Sequence, residues 1–201
     1  MHRLGVLAYG SLIDDPGSEL FEIIVARVHG VLTPFPVEYA RSSSSRDGGP
    51  TLVPVESGGA RVKGVVLLLS EDTSEEEGAS MLWRRETSQI GSGKRYKSPK
   101  EVTVNTVTVR RLTDFAGVGI VLYTHIPANI EQLTPSHLAE LAIESATGDA
   151  GKQRRDGISY LLMAKRAGIV TPLMSQYDAA ILSHSGAASL EDAWHRSRTL
   201  A

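Results

Sequence analysis

Along the first 125 residues the apolar positions fall in short, β-branched runs separated by Gly, Pro and Ser, which is the punctuation of strands. The runs predict strands at 3–10 (RLGVLAYG), 23–32 (IIVARVHGVL), 51–55 (TLVPV), 62–69 (VKGVVLLL), 101–112 (EVTVNTVTVRRL) and 117–125 (GVGIVLYTH). In the fifth run Val102, Val104, Thr106 and Thr108 alternate with Thr103, Asn105, Val107 and Val109. That mixed alternation fits an edge or a barrel wall, whereas the neighbouring runs are continuously apolar, as strands covered on both faces are.

After residue 125 the period lengthens to that of helices. Thr134-Pro135 and Thr171-Pro172 each place a hydroxyl ahead of a proline, the signature of an N-cap followed by the first helical position. Helices are predicted at about 135–147, 156–168, 172–184 and 189–198. One earlier helix, about 74–86, interrupts the strands, opened by Ser74 with Glu77 three residues on as a capping box. Strands followed by helices, with one helix inserted, argue an α+β fold. The loop SSSSRDGG at 42–49 reads as flexible by composition but too short to link domains, and no repeat is visible.

Length and charge narrow the picture. A chain of 201 residues fits one domain. The absence of cysteine excludes disulfide scaffolds, thiolate metal sites and cysteine nucleophiles. The amino-terminal stretch MHRLGVLAYGSLIDDP turns polar and acidic too early for a signal peptide, and no apolar run approaches the roughly 18 residues of a membrane helix. A formal net charge of −2 supplies no field for gathering nucleic acid or anionic membrane. The expectation is a soluble cytoplasmic protein with a small-molecule partner, and no nucleic acid or membrane partner.

Four features carry candidate chemistry. GSGK at 91–94 lacks the spacing of a phosphate loop, and Arg95 stands where Ser or Thr is needed. Ser11 lacks the flanking glycines of a nucleophile elbow. His2, His29, His125, His137, His184 and His195 have no metal-ligand spacing, so neither a triad nor a metal site is expected. YGSL at 9–12 ends the first strand. A glycine there lets the chain turn and frees N–H groups for an anion, although an ordinary strand-to-loop turn looks the same. Finally, Ala79, Leu82, Trp83 and Glu86 occupy i, i+3, i+4 and i+7 of the inserted helix, placing the Glu86 carboxylate on the apolar face. Burial near the negative end of a helix dipole should raise its pKa, as a general base requires. Exposure to water, or pairing with Arg84 or Arg85, is the competing reading.

The ordered set YGSL, VARVHGVL, PTLVP, VKGVV, LWRRE and Tyr96 resembles the γ-glutamylcyclotransferase fold family over about 125 residues. The segment IESATGDAGKQRRDGISYLLMAKRAGI at 143–169 further resembles its ChaC branch, associated with glutathione. The resemblance implies a single domain over 1–201, with a small mixed β-barrel at about 1–126 and a helical part at about 127–201 packed on it. It implies release of 5-oxoproline from a γ-glutamyl amide, without metal or cofactor. Glu86 would be the general acid/base. Tyr9, with the amides of Gly10, Ser11 and Leu12, would hold the α-carboxylate end of the substrate. Tyr96, beside Lys94, Arg95 and Lys97, would stand at the pocket mouth. The chain departs from the branch in reading SSSSRDGGP where His-Arg-Gly or Arg-Gly is usual, and His137-Leu138-Ala139 where a substrate tyrosine is expected.

In that reaction the substrate's α-amine attacks its own side-chain carbonyl. Intramolecular geometry can supply about 7–11 kcal/mol of the barrier. An α-amine has a pKa of about 8 and an ordinary Glu about 4.3, a mismatch costing about 5 kcal/mol, roughly halved if the Glu rises to about 6–7. The alternative is a binding or regulatory module that keeps the pocket without the reaction. An interaction domain rests only on the apolar stripes of the later helices, which more often face a core. Substrate identity and oligomeric state stay open, a homodimer included.

Overall fold

The protein, seen in a computed structural model, is described over residues 3–199, so His2 lies outside the described residues. In chain order the elements are β1 (Leu4–Ala8), α1 (Ser18–Ile23), β2 (Ile24–Leu32), β3 (Val37–Ser42), β4 (Pro50–Pro54), β5 (Lys63–Leu69), α2 (Glu75–Glu86), β6 (Thr108–Phe115), β7 (Val118–His125), α3 (Pro135–Thr147), α4 (Asp149–Lys152), α5 (Gly157–Arg166), α6 (Met174–Ser185) and α7 (Leu190–Thr199). The fold is α+β. It divides into two compact units, one holding the described residues up to Thr33 with Lys63–Pro127, the other Pro34–Val62 with the described residues from Ala128 on. No helix among the described residues is long and apolar enough to cross a membrane.

The first unit is a five-stranded sheet in the order β2-β5-β1-β7-β6. β1 runs parallel to β7, with Val6 opposite Leu122, and antiparallel to β5, with Val6 opposite Leu67. β1 is buried throughout and β5 from Gly64 on, as continuous apolar runs require. Among the described residues β2 and β6 do not pair, so the sheet is open and not a closed barrel. β2 resists regular pairing, since its ladder to β5 shifts between Ile24 and Ala26 and between Val28 and Val31, and Gly30 between them turns to a φ of 74°. The strand expected over 101–112 begins only at Thr108. Thr103 and Thr106 bond to one another instead, Thr106 N to Thr103 O at 3.0 Å and Thr103 N to Thr106 Oγ1 at 2.9 Å, a local closure that competes with the ladder.

α2 starts where the capping box places it. Ser74 Oγ accepts from Glu77 N at 3.3 Å, and Ser74 N donates to Glu77 Oε2 at 3.0 Å. The helix approaches the sheet most closely at Gly78, where a Cβ would meet methyl groups of Leu69, Leu4 and Leu122 at 3.2–3.4 Å. Leu82, one turn further on, joins Leu4, Val6, Leu20, Leu67, Leu69 and Leu122 in the core.

In the second unit β3 and β4 form a two-stranded antiparallel sheet in the same unit as α3–α7. β3 is absent from the predicted strands, and the segment 34–62, expected with the barrel strands, clusters with the helices. The loop 42–49 is pinned despite its composition. Arg46 Nη1 donates to Arg155 O at 2.8 Å, and Asp47 Oδ2 accepts from Ala150 N at 2.6 Å. Thr134 caps α3 as predicted, accepting from His137 N. Thr171 does not cap α6, which begins at Met174. Its hydroxyl donates instead to Glu38 Oε1 at 2.6 Å, while Leu173 N donates to Oε2 at 3.1 Å and Tyr39 N to Oε1 at 2.8 Å.

Glu38 is fully buried, and such a carboxylate is tolerated because donors surround it. Glu38→Ala would strand those donors, each at a cost of about 1–3 kcal/mol. The expected result is a loss of about 3 kcal/mol in urea unfolding, with a smaller loss for Glu38→Gln, which keeps an acceptor oxygen.

Candidate functional site

The site predicted from sequence lies within the first unit. Tyr9 continues β1 in extended geometry (φ −140°, ψ 158°), and the chain then folds into a 3₁₀ turn over Gly10–Leu12. Gly10 has a φ of 62°, a left-handed value that strains any side chain with a Cβ. Ile13 N bonds Gly10 O at 3.2 Å and Asp15 N bonds Ser11 O at 2.9 Å. In a turn closed by one i→i+3 and one i→i+4 bond, the first amides, here those of Gly10 and Ser11, have no partner within the turn. Leu12 is anchored differently, its side chain lying in the core.

α2 ends against this turn. Arg85 Nη1 donates to Glu86 Oε1 at 2.6 Å and Arg85 Nη2 to Ser11 Oγ at 3.3 Å. The same guanidinium donates through Nε and Nη2 to Asp15 O at 3.0 and 2.6 Å. Gly17 leaves the space this side chain needs, since a Cβ there would lie 3.1 Å from Arg85 Cγ. The side chains of Arg85 and Glu86 are 14% and 15% exposed. Glu86 is therefore mostly buried and one guanidinium away from the Ser11 hydroxyl. Of the readings open for Glu86, burial and pairing with an arginine are both realised, since the mostly buried carboxylate has the Arg85 guanidinium as its immediate partner. The reason is geometric: the last turn of a helix can bend a long neighbouring side chain across its own end, where a cation also meets the negative pole of the dipole.

Arg84 leaves the helix about 100° away and builds a second cluster. Its Nε donates to Glu19 Oε1 and Oε2 at 3.1 and 2.9 Å, and its Nη1 to Lys94 O. Gly91 N donates to Glu19 Oε1 at 3.0 Å, so the glycine loop of GSGK holds a carboxylate of its own chain. Tyr96 N donates to Ser80 Oγ at 3.0 Å, and Tyr96 Oη accepts from Val109 N at 3.1 Å. Tyr96 thus staples the segment after α2 to β6, and among the described residues its recorded polar contacts lie there and not at the Arg85–Glu86 pair. The structure brings Gly10, Ser11, Arg85 and Glu86 together. No group of histidine and acidic side chains among the described residues could hold a metal ion.

The chain matches no model of a known protein family and no curated protein. The functional reading therefore rests on the residues themselves. Arg85 is the site residue that sequence reasoning undervalues, because it enters there only as a competing partner for Glu86. A signal for it exists in the run Arg84-Arg85-Glu86, since neighbouring helical positions must point to different surroundings.

Desolvation works to raise the Glu19 carboxyl, but the Arg84 hydrogen bonds, the Gly91 amide and the Arg84 charge hold it below the usual carboxylate range. A carboxyl lowered on folding contributes stability that is present above its unfolded pKa of about 4.3 and lost as pH falls through the folded value. Glu19→Gln is expected to lower stability at pH 7 by about 1 kcal/mol. It should also flatten the decline of the urea midpoint below about pH 4.3, as titrated unfolding curves would register.

Proposed function

We propose that the chain is a γ-glutamylcyclotransferase, releasing 5-oxoproline from glutathione or another small γ-glutamyl amide, with Glu86 as general acid/base. One observation carries this reading: a mostly buried carboxylate, Glu86, stands one guanidinium away from Ser11, in the short 3₁₀ turn Gly10–Leu12 that ends β1. Such a turn accepts an anionic group, and a carboxylate beside it is placed to take a proton from the adjacent α-ammonium. The α-nitrogen then attacks the γ-carbonyl carbon, forming the ring C–N bond. The amide C–N bond breaks as Glu86 returns that proton to the leaving nitrogen, and the second proton shed by the ring nitrogen passes by the same carboxylate to the departing amine, which leaves as an ammonium. Bonds and charges balance without a cofactor. The mixed sheet with its parallel β1·β7 pair is the part of the proposed barrel architecture that supports the family reading.

Leu12 contributes by fixing the turn to the core, and Tyr96 by tying the segment after α2 to Ser80 and to β6. A second reading, a binding module that holds a γ-glutamyl compound without converting it, is favoured by the close ion pair that occupies Glu86. Incubation with glutathione, γ-glutamyl dipeptides and γ-glutamyl amines separates the two. The enzyme releases 5-oxoproline from at least one of them, and Glu86→Gln lowers that turnover at least a hundredfold, the lower range for a lost acid/base group, with its circular dichroism unchanged. Turnover equal to that of the parent would remove Glu86 from the mechanism. Binding without product would establish the module.

A further inference from the structure

Arg85 offers more than the mechanism above uses. It donates twice to Asp15 O, once to Ser11 Oγ and once to Glu86 Oε1. Asp15 Oδ2 stands 3.9 Å from Nη2, on a side chain that is 81% exposed. Against the donor inventory of a guanidinium, one hydrogen of Nη1 has no recorded acceptor among the described residues. Ser11 Oγ accepts from Arg85, which leaves its own hydrogen free to donate. Both groups belong to the cluster in which Arg85 joins Ser11 to Glu86.

We infer that Arg85 and Ser11 form the recognition site for an α-carboxylate, and that the Arg85–Glu86 pair is an internal mimic of the zwitterion it receives. An α-amino acid end presents a carboxylate and an ammonium one carbon apart, and the site presents a guanidinium and a carboxylate in contact. Binding then proceeds by exchange of partners: the incoming carboxylate takes the Nη1 hydrogens of Arg85, one of them given up by Glu86, with the Ser11 hydroxyl as a further donor, and Glu86, released, takes the ammonium. One ion pair becomes two, the net charge of the site is unchanged, and no charge is left alone. This avoids the heavy penalty of burying a lone charge. The assignment rests on the proposed chemistry for its substrate class, γ-glutamyl amides, but names a separate discriminating group.

The test uses L-glutamine, the simplest γ-glutamyl amide, and 4-aminobutanamide, the same molecule without its α-carboxylate, in calorimetric titrations of the full chain at pH 7. The parent protein is expected to bind L-glutamine at least tenfold more tightly. Arg85→Ala is expected to abolish that preference, and Arg85→Lys, which keeps the charge but not the fork, to retain only part of it. If Arg85→Ala fails to fold, Arg85→Lys decides. A parent that binds both compounds equally, or neither, overturns the assignment, as does an undiminished preference in Arg85→Lys. A clear preference with no 5-oxoproline from any γ-glutamyl amide supports the carboxylate site while ending the enzymatic reading. Turnover without the preference does the reverse.

Discussion

The guanidinium of Arg85 fixes where α2 ends relative to the turn that follows β1, and the candidate chemistry depends on that distance. A mostly buried cation is costly unless every side of it is satisfied. Here four of its five N–H hydrogens are met by one backbone carbonyl, one hydroxyl and one carboxylate, and a single Nη1 hydrogen is left over. Two of those acceptors, Asp15 O and Ser11 Oγ, lie in the stretch between β1 and α1, which would otherwise be an ordinary surface connection with freedom to move. Arg84 ties α1 and the segment after α2 into the same helix end through Glu19 and Lys94. Neighbouring arginines thus hold two different loops, each by hydrogen bonds that also discharge the carbonyls and carboxylates collected at the negative pole of the helix.

This arrangement needs a helix in exact register, and the register is set at its other end. The Ser74–Glu77 box fixes the first turn, and Gly78 lets the helix sink onto Leu4, Leu69 and Leu122. From there a regular helix delivers Leu82 to the core, Arg84 to the Glu19 cluster and Arg85 with Glu86 to the turn after β1. Shifting the sequence by one position would rotate each side chain by about 100° and take Leu82 off the core. The cap, the glycine and the terminal charges therefore work as one unit, although they are separated along the helix.

How far the sequence carried this design varies with the range of the interactions. α2 and α3 were legible to the residue because their caps are local: Ser74 with Glu77, and Thr134 with Pro135. β1, β5 and β7 were legible because strands covered on both faces need unbroken apolar runs. Thr171-Pro172 misled because its hydroxyl answers a demand made far away, by Glu38 on β3, and a buried carboxylate outbids a helix N-terminus for a donor. The stretch 101–107 misled because its alternation satisfies a strand pattern while Thr103 and Thr106 close on each other. The placement of Glu86 on an inward face was readable from spacing, but the partner that meets it was not, since period alone gives a direction and not the reach of a neighbouring side chain.

The pairing of Arg85 with Glu86 changes what the carboxylate needs from its surroundings. A base isolated in an apolar wall must be kept neutral or compensated before any ligand arrives. A base held in an ion pair is already compensated, and it becomes available only when another anion claims its cation. On the proposed reading, availability is coupled to occupancy: the free protein keeps the Glu86 charge paired, and a ligand carrying the competing carboxylate would also carry the ammonium for Glu86 to meet. A γ-glutamyl end has both groups on one carbon, whereas a simple amine or a simple acid has one of them and would leave either Arg85 or Glu86 without a partner in a partly buried site. Electrostatic bookkeeping of this kind selects against half-matched ligands by the cost of the group left behind, in the way that a site built around hydrogen bonds rejects an analogue lacking one.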